Sequence, residues 1–146
     1  MKLSRLRSGE LLAAAGAVAL AVLSFLPWYR SRVGSLTAWD TFGVMDVLIV
    51  AAIAAAATLA VATVTERTPA LPVASAIWTT LAAVLAVLAI LIGLLHLPDH
   101  ALGVRAAGWL GLVAGLAILA GGWQSLRDER TSRYPLAEPA PRRPRV

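Results

Sequence analysis

Four long stretches without a charged residue constrain the fold of this 146-residue chain more than any other feature. They cover residues 11–27, 47–64, 73–95 and 106–123. A helix needs roughly 20 mostly apolar residues to cross the ~30 Å hydrocarbon core of a bilayer. The stretches are continuous rather than alternating, and in lipid the backbone must satisfy its own hydrogen bonds. Each stretch is therefore predicted to be a membrane-spanning helix and not a barrel strand.

Composition supports the same fold class. Hydrophobic residues make up 59% of the chain and charged residues 14%, whereas soluble domains are about 45–50% apolar and about 25% charged. The prediction is an all-α membrane protein, a four-transmembrane-helix bundle within residues 1–123. Its helices are expected at about 9–27, 42–64, 73–95 and 106–123. The first is expected to be retained rather than cleaved as a signal peptide, because its end carries bulky residues at 25–28, where a signal peptidase requires small ones.

The distribution of basic residues predicts the topology. With four spans both termini lie on one side, and of the 13 Lys and Arg residues only Arg30, Arg32 and Arg105 fall on the other. Because Lys and Arg favour the cytoplasmic side, both termini are predicted to be cytoplasmic. The net charge of +5 then belongs to the inner face, so no nucleic-acid partner is predicted.

Residues 124–146 form a polar segment rich in Pro and Arg, which is expected to be a disordered basic cytoplasmic tail. Such a tail can be attracted to an anionic leaflet or can bind a cytoplasmic partner.

Aromatic and small residues indicate how the helices sit and pack. Tryptophans near the ends of spans favour the headgroup region, which places four residues at the interface: Trp28, Trp39, Trp109 and Trp123. In the fourth span Gly111 and Gly115 form a Gly-x-x-x-Gly pair, which lets helices approach closely. This pair is expected to serve either packing within the bundle or a dimer face.

Asp46 is the main candidate for a functional side chain. It lies near the outer end of the second span, and ionisable residues within spans suggest function. It could carry a proton or bind a cation. Alternatively, it sits in the first turns of the helix, where the dipole favours an anion, and pairs with Arg30, Arg32 or Arg105.

The first outer loop, residues 28–41, supplies the other candidates. It contains Arg30, Arg32, Trp39 and Asp40. The loop could contact a lipid headgroup or a partner, or only anchor two helix ends at the interface. Ser35 is expected to cap a short interfacial helix that leads into the second span.

Catalysis and cofactor binding are not predicted. The chain has no Cys and only two His. His96, Asp99 and His100 carry metal-binding groups, but Pro98 interrupts them and no metal site is expected. Nucleophile-elbow, phosphate-loop and metalloprotease motifs are absent from the sequence.

Three short segments carry a resemblance. They read Phe-Leu-Pro-Trp-Tyr at 25–29, Leu-Thr-Ala-Trp-Asp at 36–40 and Gly-Gly-Trp-Gln-Ser-Leu-Arg-Asp-Glu-Arg at 121–130. The chain resembles uncharacterised small four-span integral membrane proteins of high-GC actinobacteria. The resemblance implies a bacterial inner membrane and no site residues.

The expected function follows from these features. The chain is expected to be a non-enzymatic structural or accessory membrane protein without cofactors. Its expected partners are the lipid bilayer and a membrane protein or a second copy of the chain. The alternative is a small transporter or channel subunit that uses Asp46.

Overall fold

A computed structural model describes residues 7–32, 34–41, 43–65, 70–97 and 101–131. Four helices dominate it, and each of the four predicted apolar runs is largely covered by one of them. Their bounds are α1 Ser8–Ser24, α2 Val44–Thr65, α3 Ala70–Leu95 and α4 Ala106–Thr131. The remaining elements are the strands β1 Pro27–Ser31, β2 Ser35–Thr37 and β3 Ala101–Val104 and a single 3-10 turn, Trp39–Thr41.

The four helices form a closed up-and-down bundle. Each packs against the helix that follows it, and α4 packs against α1 to complete the ring. The α1–α4 pair is antiparallel, because Gly9 near the start of α1 meets Gly121, whereas Gly16 meets Ala114 and Ile118. Short connections between antiparallel neighbours are typical of such bundles.

Alanine and glycine supply many of the interior positions, beside larger side chains such as Ile49, Leu59 and Ile118, and many other large apolar side chains face outwards. The buried positions of α1 recur every three or four residues, as one face of a helix requires, and most are small: Gly9, Glu10, Ala13, Gly16, Ala17, Leu20 and Ser24. By contrast Val18, Leu88 and Val113 are at least half exposed. This inverted distribution suits lipid, where close packing rather than hydrophobic burial holds helices together.

The contact between α1 and α4 is the closest in the bundle. A Cβ atom at Gly121 would lie 2.5 Å from both the Ala13 nitrogen and the Gly9 carbonyl oxygen. A Cβ at Gly16 would lie 2.9 Å from the Ala114 carbonyl oxygen. Glycine is therefore required on both helices, since the two backbones touch without side chains between them.

Three helical segments are long and apolar enough to cross a membrane: Val44–Thr65, Ala74–Leu95 and Ala106–Asp128. The fourth, α1, has 17 residues, so it measures about 25 Å at 1.5 Å per residue. It begins where the Arg7 backbone N–H donates a hydrogen bond of 2.6 Å to the Glu10 carboxylate, which satisfies one of the free donors of the first turn.

The predicted ends of α1 and α4 were wrong. The first helix was expected to reach residue 27 but ends at Ser24, because Pro27 opens β1. The fourth was expected to stop at 123 but continues to Thr131, so residues 124–131 are helical rather than part of a disordered tail. Ser125 explains the extension, because it is buried against Gly9 of α1. Residues 132–146 of the expected tail lie outside the described residues.

The all-α prediction was also incomplete, because a three-stranded antiparallel sheet covers one end of the bundle. The strand order is β2-β1-β3. Tyr29 and Arg30 of β1 pair with Val104 and Gly103 of β3, and Arg30 also pairs with Ser35 of β2. Ser35 therefore lies in a strand and does not cap a helix. The sheet forms here because the antiparallel α1 and α4 bring the chain after α1 and the chain before α4 side by side.

Gly121→Ala is expected to lower the stability of the bundle by about 1–3 kcal/mol, the usual cost of overpacking. The methyl group would meet backbone atoms of α1, which cannot rotate away, and this outweighs the higher helix propensity of Ala. The measurement is the thermal unfolding midpoint in detergent, followed by Trp fluorescence.

Gly103→Ala provides the matched control, because no atom lies within 4 Å of a Cβ at that position. It should stay within about 0.5 kcal/mol of the wild type, as for most surface changes. Equal midpoints for the two variants would contradict the close α1–α4 contact.

Candidate functional site

The sheet end of the bundle brings together the candidate residues of the first outer loop and of α2. We use "sheet end" for β1–β3, the 3-10 turn and the adjoining ends of the helices. Arg30 lies on β1, Trp39 and Asp40 begin the 3-10 turn, and Asp46 lies in the first turn of α2. They share one end of the protein, but they do not form one cluster of contacts.

Trp28 lies buried beneath the sheet end rather than exposed at a membrane interface, where the sequence predicted it. Its side chain is 0% exposed, and its indole N–H donates a 2.7 Å hydrogen bond to the Leu23 carbonyl oxygen. The ring occupies the space that Gly111 leaves open, since a Cβ there would lie 2.5 Å from it. Because Gly111 has no side chain, the indole ring of Trp28 can pack directly against α4.

The Gly-x-x-x-Gly pair is accordingly used within the chain. Gly111 receives Trp28, and Gly115 faces Val87 and Ile90 of α3 at 3.2 and 3.7 Å from its Cβ position. Both glycines are buried inside one bundle. This geometry favours the intramolecular alternative over a dimer face.

The other three tryptophans that were predicted at the interface, Trp39, Trp109 and Trp123, are partly accessible. Trp109 and Trp123 of α4 are 49% and 53% exposed. They lie 14 residues apart, or roughly 21 Å along the helix, which is less than the ~30 Å of the hydrocarbon core. Trp39 is half-buried and packs against Phe25 with ring centroids 5.7 Å apart. Its buried indole nitrogen has no hydrogen-bond partner among the described residues.

Tyr29 was not a candidate in the sequence, yet it links the sheet to α3. Its side chain is fully buried, and the hydroxyl donates a 3.2 Å hydrogen bond to the Gly93 carbonyl oxygen. Burial raises the pKa of the Tyr29 phenol, and the negative charge of Asp46 raises it further. The only sequence signal was its place beside Trp28 directly after a helix.

Asp46 is 8% exposed and belongs to the first turn of α2. One carboxylate oxygen accepts a 3.1 Å hydrogen bond from the Gly43 backbone N–H, which suits an anion at a helix start. The other oxygen is buried without a hydrogen-bond partner. Within the described part of the chain no hydrogen bond or ion pair joins Asp46 to Arg30, Arg32 or Arg105, so the predicted pairing is not seen.

Asp40 has a local structural role. Its carboxylate accepts hydrogen bonds from the Thr37 backbone N–H at 2.6 Å and from the Thr37 hydroxyl at 2.9 Å. These two donors hold the pKa of Asp40 below its usual value. Because the ionised form is favoured in the folded chain, the stabilisation is present above the ordinary pKa and is lost as the pH falls through the lowered one.

The arginines of the sheet end divide into two groups. Arg30 and Arg105 are exposed and line one open cleft of about 640 Å³ between β1, β3 and the start of α4. Arg32 is also exposed but does not line this cleft. The sequence suggested Arg105 only as a partner for Asp46, because the strand pairing that brings it near Arg30 joins residues far apart in the chain.

Two apolar cavities lie between α2 and α3 on the outside of the bundle, and we call them together the α2–α3 groove. Its part near the sheet end is a cavity of about 490 Å³ that includes Met45 and Leu88, with Tyr29 at its end. Its part near the other end is a cavity of about 590 Å³ that includes Val61 and Trp78. Both cavities open onto the outer surface of the bundle, where exposed leucine and valine side chains lie.

No group of three metal-ligating side chains occurs in the described ranges. His96 is exposed just after α3, whereas Asp99 and His100 lie outside those ranges. The functional groups of the sheet end are therefore its arginines and the buried Asp46 carboxylate, and apolar surface lies beside them.

Comparison of the chain with protein-family models, with curated proteins and with solved structures finds no match. Function must therefore be inferred from the geometry of the sheet end and of the helix surfaces.

Asp46→Asn is expected to lower the pKa of Tyr29 towards its ordinary value, because the substitution removes the negative charge beside a buried phenol. The chain has two Tyr residues, so the measurement is an absorbance titration of tyrosinate in a Tyr134→Phe background. Asp40→Asn serves as the control and should leave the titration of Tyr29 unchanged. An identical Tyr29 titration in Asp46→Asn and in its parent would show that the two groups do not interact.

Proposed function

We propose that the protein is a non-enzymatic component of a cell membrane that spans it four times and supports a membrane-protein partner. Three helices have the length and hydropathy to cross a membrane. The fourth span is supported by α1, which lies antiparallel to α4 in backbone contact from Gly9 to Gly16. Its 17 residues are within the range of about 17–25 for spanning helices.

The proposed topology has both termini in the cytoplasm and the sheet end outside. It is supported by the charge distribution, because only Arg30, Arg32 and Arg105 of the 13 Lys and Arg residues belong to the connections between α1 and α2 and between α3 and α4. The resemblance to actinobacterial four-span proteins supports the inner membrane of a bacterium. A reporter that is active only in the cytoplasm should be active when it is fused after Val146. Activity of a reporter that works only outside the cytoplasm, fused at the same position, would reject this topology.

The observation that carries an accessory role is the contrast between the interior and the α2–α3 groove. Interior polar side chains bond to helix backbones: Ser24 to the Leu20 carbonyl at 2.7 Å, and Ser125 to the Gly121 carbonyl at 3.0 Å. Thr79 joins α3 to α2 through the Ala55 carbonyl at 2.9 Å. The interior thus serves packing, as small residues in membrane bundles do.

The α2–α3 groove, in contrast, faces outwards, and none of the described helices covers it. Its cavity near the other end is lined by small side chains, Ala57 and Ala62 of α2 and Ala74 and Ser75 of α3. A second helix can approach such a surface closely, and close approach is what drives helix association in lipid. This surface is the one that we propose a partner helix occupies.

The test is photo-crosslinking in the native membrane. A photoreactive residue at Val61, in the groove, is expected to give one discrete crosslinked product, because a docked helix lies within reach of the probe. The matched control is the same residue at Val18 of α1, which is 66% exposed compared with 56% for Val61 but lies on another face. Diffuse or absent products at Val61, or equal products at both positions, would contradict a partner in the groove.

A second candidate, a small transporter or channel subunit, is favoured by one observation. The partnerless Asp46 oxygen is buried at the end of a span, where ionisable groups suggest function. The accessory role predicts that proteoliposomes with the wild type and with Asp46→Asn pass protons and monovalent cations at the rate of protein-free liposomes. A wild-type flux that Asp46→Asn abolishes would replace the accessory proposal with this one.

A further inference from the structure

We propose that the cleft between Arg30 and Arg105 binds the headgroup of an anionic phospholipid in the leaflet next to the sheet end. We call this cleft the arginine cleft. It is lined by Leu26, Pro27, Arg30, Val104, Arg105, Ala106, Ala107 and Leu110. The proposal requires only that the sheet end lies at a membrane surface and is independent of any protein partner.

The sheet sets the positions of both arginines. Arg30 pairs with Gly103 across β1 and β3, and Val104, directly before Arg105, pairs with Tyr29. The Arg105 backbone N–H then donates a 2.7 Å hydrogen bond to the Trp28 carbonyl oxygen. The backbones that carry the two guanidinium groups are thus held by consecutive hydrogen bonds. Gly103 leaves open space opposite Arg30, since nothing lies within 4 Å of its Cβ position.

The positive charge of the cleft is uncompensated among the described residues. Neither the Arg30 nor the Arg105 guanidinium group makes a hydrogen bond or ion pair with a described residue, and both side chains are exposed. The described carboxylates of the sheet end are engaged elsewhere, Asp40 with Thr37 and Asp46 with Gly43. A guanidinium group presents donors in a planar fork that matches phosphate oxygens. Two of them in one cleft favour a phosphate ligand.

The rest of the cleft is apolar, which distinguishes a lipid from a soluble anion. Leu26 and Leu110 are 44% and 53% exposed, and Val113, one turn further along α4, is 60% exposed. An acyl chain attached to a phosphate between the arginines would lie along these side chains of α4. Trp109, 49% exposed, stands beside this track, where an indole ring suits the headgroup region.

The depth of the cleft agrees with the position of a headgroup. It lies where α1 has ended at Ser24 and where α4 begins at Ala106, so it marks the boundary between the spans and the sheet. The start of α4 also turns its positive dipole end towards the cleft through Ala106 and Ala107. Charge, apolar surface and depth thus point to the same ligand.

The experiment measures lipid binding to the full chain in a neutral detergent by native mass spectrometry. Phosphatidylglycerol should bind more tightly than phosphatidylcholine with the same acyl chains. Because an exposed ion pair adds up to about fivefold in affinity, Arg30→Gln and Arg105→Gln should each weaken phosphatidylglycerol binding about fivefold. The double variant should weaken it roughly 25-fold if the two losses are independent. Phosphatidylcholine binding should fall less, because the choline cation offsets the charge of its phosphate.

Arg32→Gln is the matched control, because it removes the same charge from the same end but not from the cleft. It should retain wild-type affinity, and an equal loss there would show attraction by net charge without a site. Inorganic phosphate and glycerol phosphate, which lack acyl chains, should not compete at equal concentration. Competition by either would reject a lipid site in favour of a soluble anion.

A further variant separates loss of binding from loss of folding. Arg30→Lys/Arg105→Lys keeps both charges and should bind phosphatidylglycerol with an affinity between those of the wild type and of the double Gln variant, because Lys cannot form the planar fork. Full phosphatidylglycerol affinity in a folded Arg30→Gln/Arg105→Gln variant would overturn the proposal.

Discussion

The close backbone contact between α1 and α4 is the interaction on which the rest of the structure depends. Gly9 and Gly16 on one helix and Gly121 on the other let the two backbones meet without side chains between them. This places the end of α1 beside the start of α4. The chain that leaves α1 then pairs with the chain that enters α4, and β1 and β3 form at their joint end. The arginine cleft follows from that pairing.

The sheet end is held to the bundle by two buried aromatic residues rather than by ion pairs. Trp28 fills the space over Gly111, and Tyr29 reaches the Gly93 carbonyl oxygen on α3. Both depend on glycine, because a side chain at either position would occupy the space that the ring takes. Because these contacts fix the sheet on the bundle, they also fix the positions of Arg30 and Arg105 relative to the helix ends. Asp46 stays beneath it, engaged by the first turn of α2.

Hydropathy was enough to predict helices but not where two of them end. The bounds of α2 and α3 differ from the predicted ones by at most three residues, since the charge-free stretches end where the helices do. The end of α1 was missed because Phe25–Trp28 is as apolar as a span, although it leads into a strand. The extension of α4 was missed because residues 124–131 are polar, yet Ser125 packs against Gly9. The burial of Trp28 was not predicted for a related reason. The sequence at the end of a span is the same whether its tryptophan faces a lipid headgroup or packs over a glycine on another helix.

The sequence by itself determined that the chain forms four apolar helices and that few of its basic residues belong to the connections between α1 and α2 and between α3 and α4. Both properties are local or additive, because hydropathy and charge are summed along the chain. Only the tertiary structure decided that the segments around β1, β2 and β3 form a sheet, that the Gly-x-x-x-Gly pair packs internally, and that Arg105 rather than Arg32 joins Arg30. The physical reason is that β1–β3 pairing and the contact of Gly111 with Trp28 join residues 70 or more positions apart, as Tyr29 and Val104 are. The hydrophobic periodicity and the composition of one segment do not indicate which distant residue it contacts.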